Sequence, residues 1–142
     1  MVFFSRHTNP PAIVHEAVAA GEATLLIRPS REDLIALYSI AEAFVFPSWI
    51  EGFGIPVIEA MTCGTPVIAS DRGAIPEVAG GAALLADAED YDALARHIAL
   101  VLGNPAESRR LRERGFARAA EFSWHSTAQQ ILASYQRAPV MA

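Results

Sequence analysis

Ala43-Phe-Val-Phe-Pro-Ser-Trp-Ile-Glu51-Gly-Phe-Gly-Ile-Pro-Val-Ile-Glu59-Ala-Met-Thr-Cys-Gly-Thr-Pro-Val-Ile-Ala-Ser70 decides the fold class of this chain. Residues 43–48 are nearly all apolar, as a strand covered on both faces of a sheet must be. The next stretch, residues 49–54, carries glycines at 52 and 54 and reads as a connection. Pro56 then suits a first helical turn and Gly64 a position just past the last one, which frames a helix over residues 55–63. Residues 65–70 read as another buried strand. A strand, a loop, a helix and a second strand in that order make a parallel pair with a helical crossover, so the fold class is α/β.

The same alternation continues outward. Upstream, residues 2–5 and 24–27 read as short strands, separated by a helix over 11–20 that Gly21 ends. Ser30 reads as a helix N-cap. Leu34, Leu37, Tyr38 and Ala41 then fall at helical spacing, with Glu32 and Asp33 at the favourable N-terminal end. Downstream, residues 71–73 form a turn and a short helix begins near Pro76. Residues 82–85 read as a last strand, and 91–102, 105–121 and 123–136 carry helical spacing. No repeat, low-complexity stretch or linker interrupts this order, so a single domain over 1–142 is expected.

Composition narrows the function classes. With 142 residues, 52% of them hydrophobic and 19% charged, the chain is long enough to bury one sizeable core. A formal net charge of −5 argues against a sequence-independent hold on nucleic acid, which needs clustered Lys and Arg. Cys63 is the single cysteine, which rules out an internal disulfide and suits a reducing, cytoplasmic setting with a buried structural thiol. The first residues hold too short an apolar run for a secretory signal, and no run approaches the roughly 18 apolar residues that span a bilayer. A soluble protein is expected, with peripheral attachment to a membrane open only through a partner.

The loop between the first two buried segments carries the chemistry. A strand, a glycine-bearing loop and a helix N-terminus in succession put main-chain N–H groups and a positive dipole end at the carboxyl edge of a parallel sheet. Such an edge accepts a phosphate or diphosphate. Gly52 and Gly54 let the backbone approach a ligand closely, although glycines also follow strands merely because a turn needs positive φ. Glu51 precedes the helix and Glu59 lies near the end of its first turn. A carboxylate can accept hydrogen bonds from vicinal hydroxyls, so these two suit a ribose and a sugar ring. On spacing alone, Glu59 reads more simply as a first-turn acid that stabilises the helix dipole by roughly 0.3 to 1 kcal/mol and needs no ligand.

Residues 47–70 contain Glu51 and Glu59 in an E-x7-E arrangement that resembles the GT4 family, the large group of glycosyltransferases with the GT-B fold. The resemblance extends upstream through Asp33-Leu-Ile-Ala-Leu-Tyr-Ser and downstream through Gly73-Ala-Ile-Pro-Glu-Val and Phe122-Ser-Trp124, covering residues 24–135. It implies a Rossmann-like donor domain that takes a nucleoside diphosphate sugar and transfers the sugar with retention, without a metal. By residue-for-residue matching, Glu51 would stand near the donor sugar as the catalytic residue. Gly52, Phe53, Gly54 and Ile55 would contact sugar hydroxyls and diphosphate, largely through main-chain N–H groups, and Glu59 would bind the ribose. The family places backbone near the nucleobase at about Arg28, which itself reads as a solvated side chain.

The chain departs from the family pattern in two ways. GT4 enzymes carry an N-terminal domain that holds the acceptor, and no such segment is present. The family's early loop, whose Arg and Lys clamp the diphosphate, is not reproduced by Ser5-Arg6-His7, and the sequence contains no lysine. The resemblance therefore implies a donor domain entered partway, with an incomplete sheet whose exposed edge would favour a partner chain carrying an acceptor domain, or a homodimer. A catalytically inactive donor domain, acting as a nucleotide-binding or interaction module, is the alternative. His7, His15, His97 and His125 lack metal-ligand spacing. Arg109, Arg110, Arg112, Arg114 and Arg118 interleave with Glu107, Glu113 and Glu121 and read as a solvated, ion-paired helix face. Trp124, just inside a helix capped by Ser123, reads as a core anchor.

Overall fold

A computed structural model of the chain describes residues 1–5 and 9–137. Arg6 and His7 lie outside the described residues. The chain divides into two compact units, Met1–Leu37 and a second that begins at Tyr38.

In the first unit, β1 (Val2–Ser5) pairs in parallel with β2 (Thr24–Ile27), Val2 opposite Thr24 and Ser5 opposite Ile27. The helix α1 (Ala12–Ala19) connects them, as the sequence predicts. Helix α2 (Arg31–Ile40) starts here with a reciprocal cap: the Asp33 N–H donates to Ser30 Oγ at 3.1 Å, and the Ser30 N–H donates to Asp33 Oδ2 at 3.1 Å. Two donors that the first turn leaves without helical partners are satisfied at once. Arg28 is exposed and has a positive φ of 50°.

The second unit holds β3 (Phe44–Phe46), α3 (Ile55–Thr62), β4 (Val67–Ser70), α4 (Ile75–Ala79), β5 (Ala83–Ala86), α5 (Tyr91–Gly103), α6 (Pro105–Ala119) and α7 (Trp124–Arg137). Its sheet runs β3-β4-β5, every pair parallel, with Phe44 opposite Val67 and Val67 opposite Ala83. All of Val67–Ser70 is buried. Successive strand residues point to opposite faces, so full burial means that both faces of the central strand are covered. Ile68 packs in a cluster with Ala86, Leu94, Val101 and Leu111, which fastens α5 and α6 to the sheet. The last strand starts one residue later than the apolar pattern predicts, because the Ala82 N–H turns back to the Ala79 carbonyl at 2.9 Å.

Helix α6 is anchored at its start by Asn104, whose Oδ1 accepts from the Ala106 and Glu107 N–H groups at 3.1 and 3.2 Å. Two expectations need correction here. Arg118 is not a solvated side chain: it donates to the carbonyls of Val78 at 2.9 Å and Glu77 at 2.7 Å, so it closes the carboxyl end of α4 as well as pairing with Glu121. Trp124 is not a core anchor, being 83% exposed. Ser123 does cap α7, accepting from the Ser126 N–H at 3.0 Å, but no residue of that helix is buried among the described residues. Cys63 is half-buried at the C-cap of α3. No helix of the described residues is long and apolar enough to cross a membrane.

Candidate functional site

Residues 49–54 leave the carboxyl end of β3 and enter α3. Gly54 is the N-cap of that helix, with φ 95° and ψ 44°, a left-handed conformation that disfavours any residue with a Cβ. A Cβ there would meet only ordinary contacts, Ile75 Cγ1 at 3.7 Å and Val57 Cγ2 at 3.8 Å, so the backbone angle and not the space calls for glycine. Pro56 sits in the first turn and no side chain caps the helix. The Val57 N–H folds back onto the Gly54 carbonyl at 2.9 Å, and among the described residues nothing accepts from the N–H groups of Gly52, Phe53, Gly54 or Ile55. A row of donors at the positive end of a helix is left for something else to use.

Gly52 differs from its neighbour. Its φ is not positive, and a Cβ placed on it would meet nothing within 4 Å. Neither the turn nor the packing of the described residues demands glycine there. Around it the loop is apolar and open to solvent: Trp49, Ile50, Phe53 and Ile55 are all exposed.

Glu51 is held from two directions. Its Oε1 lies 3.3 Å from Ser48 Oγ, and its carbonyl accepts from the Ala74 N–H at 3.2 Å, which ties the loop to the connection between β4 and α4. The carboxylate is half-buried. Glu59 lies on α3 in the same exposed stripe as Ile55, about 6 Å further along the axis. Burial pushes the Tyr38 phenol well above its usual value, and the nearby Glu59 carboxylate and Cys63 push it the same way. Glu51, Gly52, Phe53, Gly54 and Ile55 thus form one continuous entry into the helix, with Glu59 one turn beyond.

Several contacts at this site are not readable from the sequence. Phe122 meets Phe53 edge to face at 5.8 Å between ring centroids, and the Arg118 guanidinium lies 4.7 Å from the Phe122 ring. Arg72 lies 4.9 Å from the Trp49 ring and binds both Asp87 carboxylate oxygens at 3.0 Å and Glu89 at 3.1 Å. The Glu89 N–H and then Arg72 hold the Asp87 carboxyl below its ordinary value. Phe53 with Phe122, and Arg72 with Trp49, Asp87 and Glu89, are separated in sequence and are brought together by the fold. His15 and His125 are exposed, and His97 tethers α5 to the Leu85 carbonyl at 3.2 Å.

With this geometry in place, similarity to known proteins is informative. Residues 13–118 match the family described as glycosyl transferases group 1. The chain is 44% identical over 105 residues to the O-antigen chain mannosyltransferase B of Escherichia coli, which covers 74% of this chain and 28% of that protein. Its structure superposes on a sucrose-phosphate synthase from Thermosynechococcus elongatus with a TM-score of 0.78 and 36% identity, covering 89% of this chain and 32% of that one. It also superposes on HepE of Anabaena, solved in complex with UDP, with a TM-score of 0.78 and 22% identity, covering 89% of this chain and 36% of that one. The α/β architecture with a Rossmann-like parallel sheet, expected from the GT-B resemblance, is therefore present, and the chain spans about a third of the length of these solved structures and 28% of the mannosyltransferase.

Proposed function

The chain belongs to the group 1 glycosyltransferases, and from that membership we propose that it forms the donor side of a retaining enzyme that takes a nucleoside diphosphate sugar. The observation that carries this reading is the entry into α3: N–H donors at residues 52–55 without partners among the described residues, beside a glycine that the fold does not require. In this reading the diphosphate lies against those N–H groups. The sugar rests near Glu51, and the ribose hydroxyls are held by Glu59. The HepE structure is a complex with UDP, which makes uridine diphosphate the first nucleotide to try.

The chemistry follows from where charge develops. As the bond between sugar and diphosphate breaks, negative charge grows on the leaving oxygen, and N–H groups fixed at a helix start stabilise it more than they stabilise the intact donor. The half-buried Glu51 carboxylate, steadied by Ser48, suits an electron-poor sugar ring developing opposite charge. No metal is required by this scheme, because the N–H row takes the diphosphate charge. The acceptor is held by a further domain or a partner chain.

Titration of the purified chain with UDP, GDP and ADP, alone and as sugar conjugates, tests the reading, with Glu59→Ala as the control. Glu59 is exposed, so removing it probes ligand contact more than folding. Saturable binding weakened about tenfold or more by Glu59→Ala supports the donor site. Absence of binding up to about 1 mM nucleotide, roughly the −4 kcal/mol level, would sink it.

A further inference from the structure

We propose that Arg72, Gly73 and Ala74, on the connection between β4 and α4, are positioning residues that hold the Glu51 peptide in its ligand-ready place. The proposal rests on the donor-site reading for its functional consequence and on geometry for the brace itself.

The brace starts from fixed ground. The Asp71 N–H donates to the Ala86 carbonyl at 3.0 Å, which extends the β4 to β5 ladder past the end of the strand. On the far side Ile75, fully buried, opens α4. Between these anchors Gly73 adopts φ +60° and lies directly on the loop: a Cβ there would fall 2.6 Å from the Glu51 carbonyl oxygen and 3.2 Å from its nitrogen. Backbone cannot swing away as a side-chain tip can, so both the angle and the space exclude every residue but glycine. The Ala74 N–H then donates to that same carbonyl at 3.2 Å.

Arg72 completes the hold from the side. Its guanidinium sits 4.9 Å from the Trp49 ring, at the other end of the loop from Gly54. The group is itself immobilised, because Nη2 reaches both Asp87 oxygens and Glu89, and the Asp87 carboxylate accepts from the Glu89 N–H at 2.8 Å. With its charge matched by two carboxylates, Arg72 is poorly suited to bind a diphosphate directly. It is well suited to steady an indole face. The loop is therefore fixed before any ligand arrives, and the ordering cost of binding is lowered accordingly.

The test compares Gly73→Ala, Arg72→Met and Gly81→Ala. Gly81 also has positive φ, +79°, but a Cβ there meets nothing within 4 Å, so it carries the same backbone strain without touching the loop. Expected are an increase of about tenfold in the Kd for UDP in Gly73→Ala, about threefold in Arg72→Met, and less than about twofold in Gly81→Ala. Exchange of the Ala74 amide, followed by NMR, should quicken in Gly73→Ala but not in Gly81→Ala. In a Trp124→Phe background Trp49 is the remaining tryptophan, and its emission should shift in Arg72→Met. If Gly73→Ala fails to fold, Arg72→Met, which alters an exposed ion pair, still reports. Unchanged UDP affinity in both variants overturns the positioning role, even if Ala74 exchange quickens. A wild-type chain that binds no nucleotide overturns the donor-site reading instead. Ala74 exchange then decides the brace alone, which falls if Gly73→Ala leaves that rate unchanged and stands if the rate rises.

Discussion

Helix α3 has two unlike ends. Toward its carboxyl end Ala60 and Met61 are buried, and a Cβ on Gly115 of α6 would press to 3.3 Å of Met61 Cγ. At its amino end the loop exposes Trp49, Ile50, Phe53 and Ile55 and keeps a glycine at 52 that nothing nearby requires. At the buried end, packing accounts for the choice of each residue. In the loop it does not, and residue choices that the fold leaves unexplained point to a contact made with something outside the fold.

The sharpest way to break this contrast is to attack the core beneath α6, the helix that packs on the buried end of α3. Leu111→Ala empties a site shared with Ile68, Leu94 and Val101 and should cost about 3 kcal/mol, within the usual range for a buried Leu. For a chain of this size that corresponds to a thermal midpoint lowered by roughly 10 °C, readable by circular dichroism. The Kd for UDP, measured well below the transition, should change little, because the loop is held by β4, α4 and Phe122 and not by Leu111. A loss of affinity as large as the loss of stability would erase the distinction between the two ends.

A smaller effect lies between them. Arg118 joins α6 to the loop, capping α4 through the Val78 and Glu77 carbonyls while lying over Phe122, which meets Phe53. Arg118→Met should cost about 1.5 kcal/mol, the scale of hydrogen bonds from a charged group to partly buried carbonyls. A value near zero in chemical denaturation would mean that water replaces those bonds freely.

On the loop side the electrostatic contribution is weaker still, because Arg72, Asp87 and Glu89 are open to solvent. Asp87 has its folded value depressed, so its contribution is present above the unfolded value near 3.8 and disappears as pH falls through the lower folded one. Stability of the wild type should therefore decline slightly more than that of Asp87→Asn as the pH drops below about 4. Identical acid profiles would show that the pair contributes nothing measurable.

These residues also mark where reading the sequence succeeds and where it stops. Residues 65–70 announce a doubly covered strand because burial on both faces leaves no polar alternation, and Ser30 with Asp33 announces a helix start because capping is local. Glu51, Gly52 and Gly54 are legible as a loop entering a helix for the same reason, since strand, loop and helix start are neighbours in the chain. The Ala74 N–H on the Glu51 carbonyl, and Arg72 beneath Trp49, are not legible, because only the parallel order β3-β4-β5 brings them together. Arg118 misleads for a related reason: alternating charges along α6 describe its own surface and its pairing with Glu121, while the two carbonyls it also holds belong to α4. Trp124 misleads because a large apolar residue at a helix start announces burial without naming a partner to bury it.

The smallest expected change in stability is also the most informative for function. Gly52→Ala adds a methyl group into open space at a residue whose φ is already negative or extended, so the folded state should tolerate it within about 0.5 kcal/mol. Reduced backbone freedom of the unfolded chain offsets part of even that. The Kd for UDP, by contrast, should rise about tenfold if the proposed donor site holds, because on that reading a Cβ at 52 would stand where the diphosphate approaches the neighbouring N–H groups. Unchanged stability with weakened binding would establish that residue 52 is glycine for the ligand's sake. Unchanged binding would move the diphosphate away from this loop. It would leave the two ends of α3 differing only in how deeply they are buried.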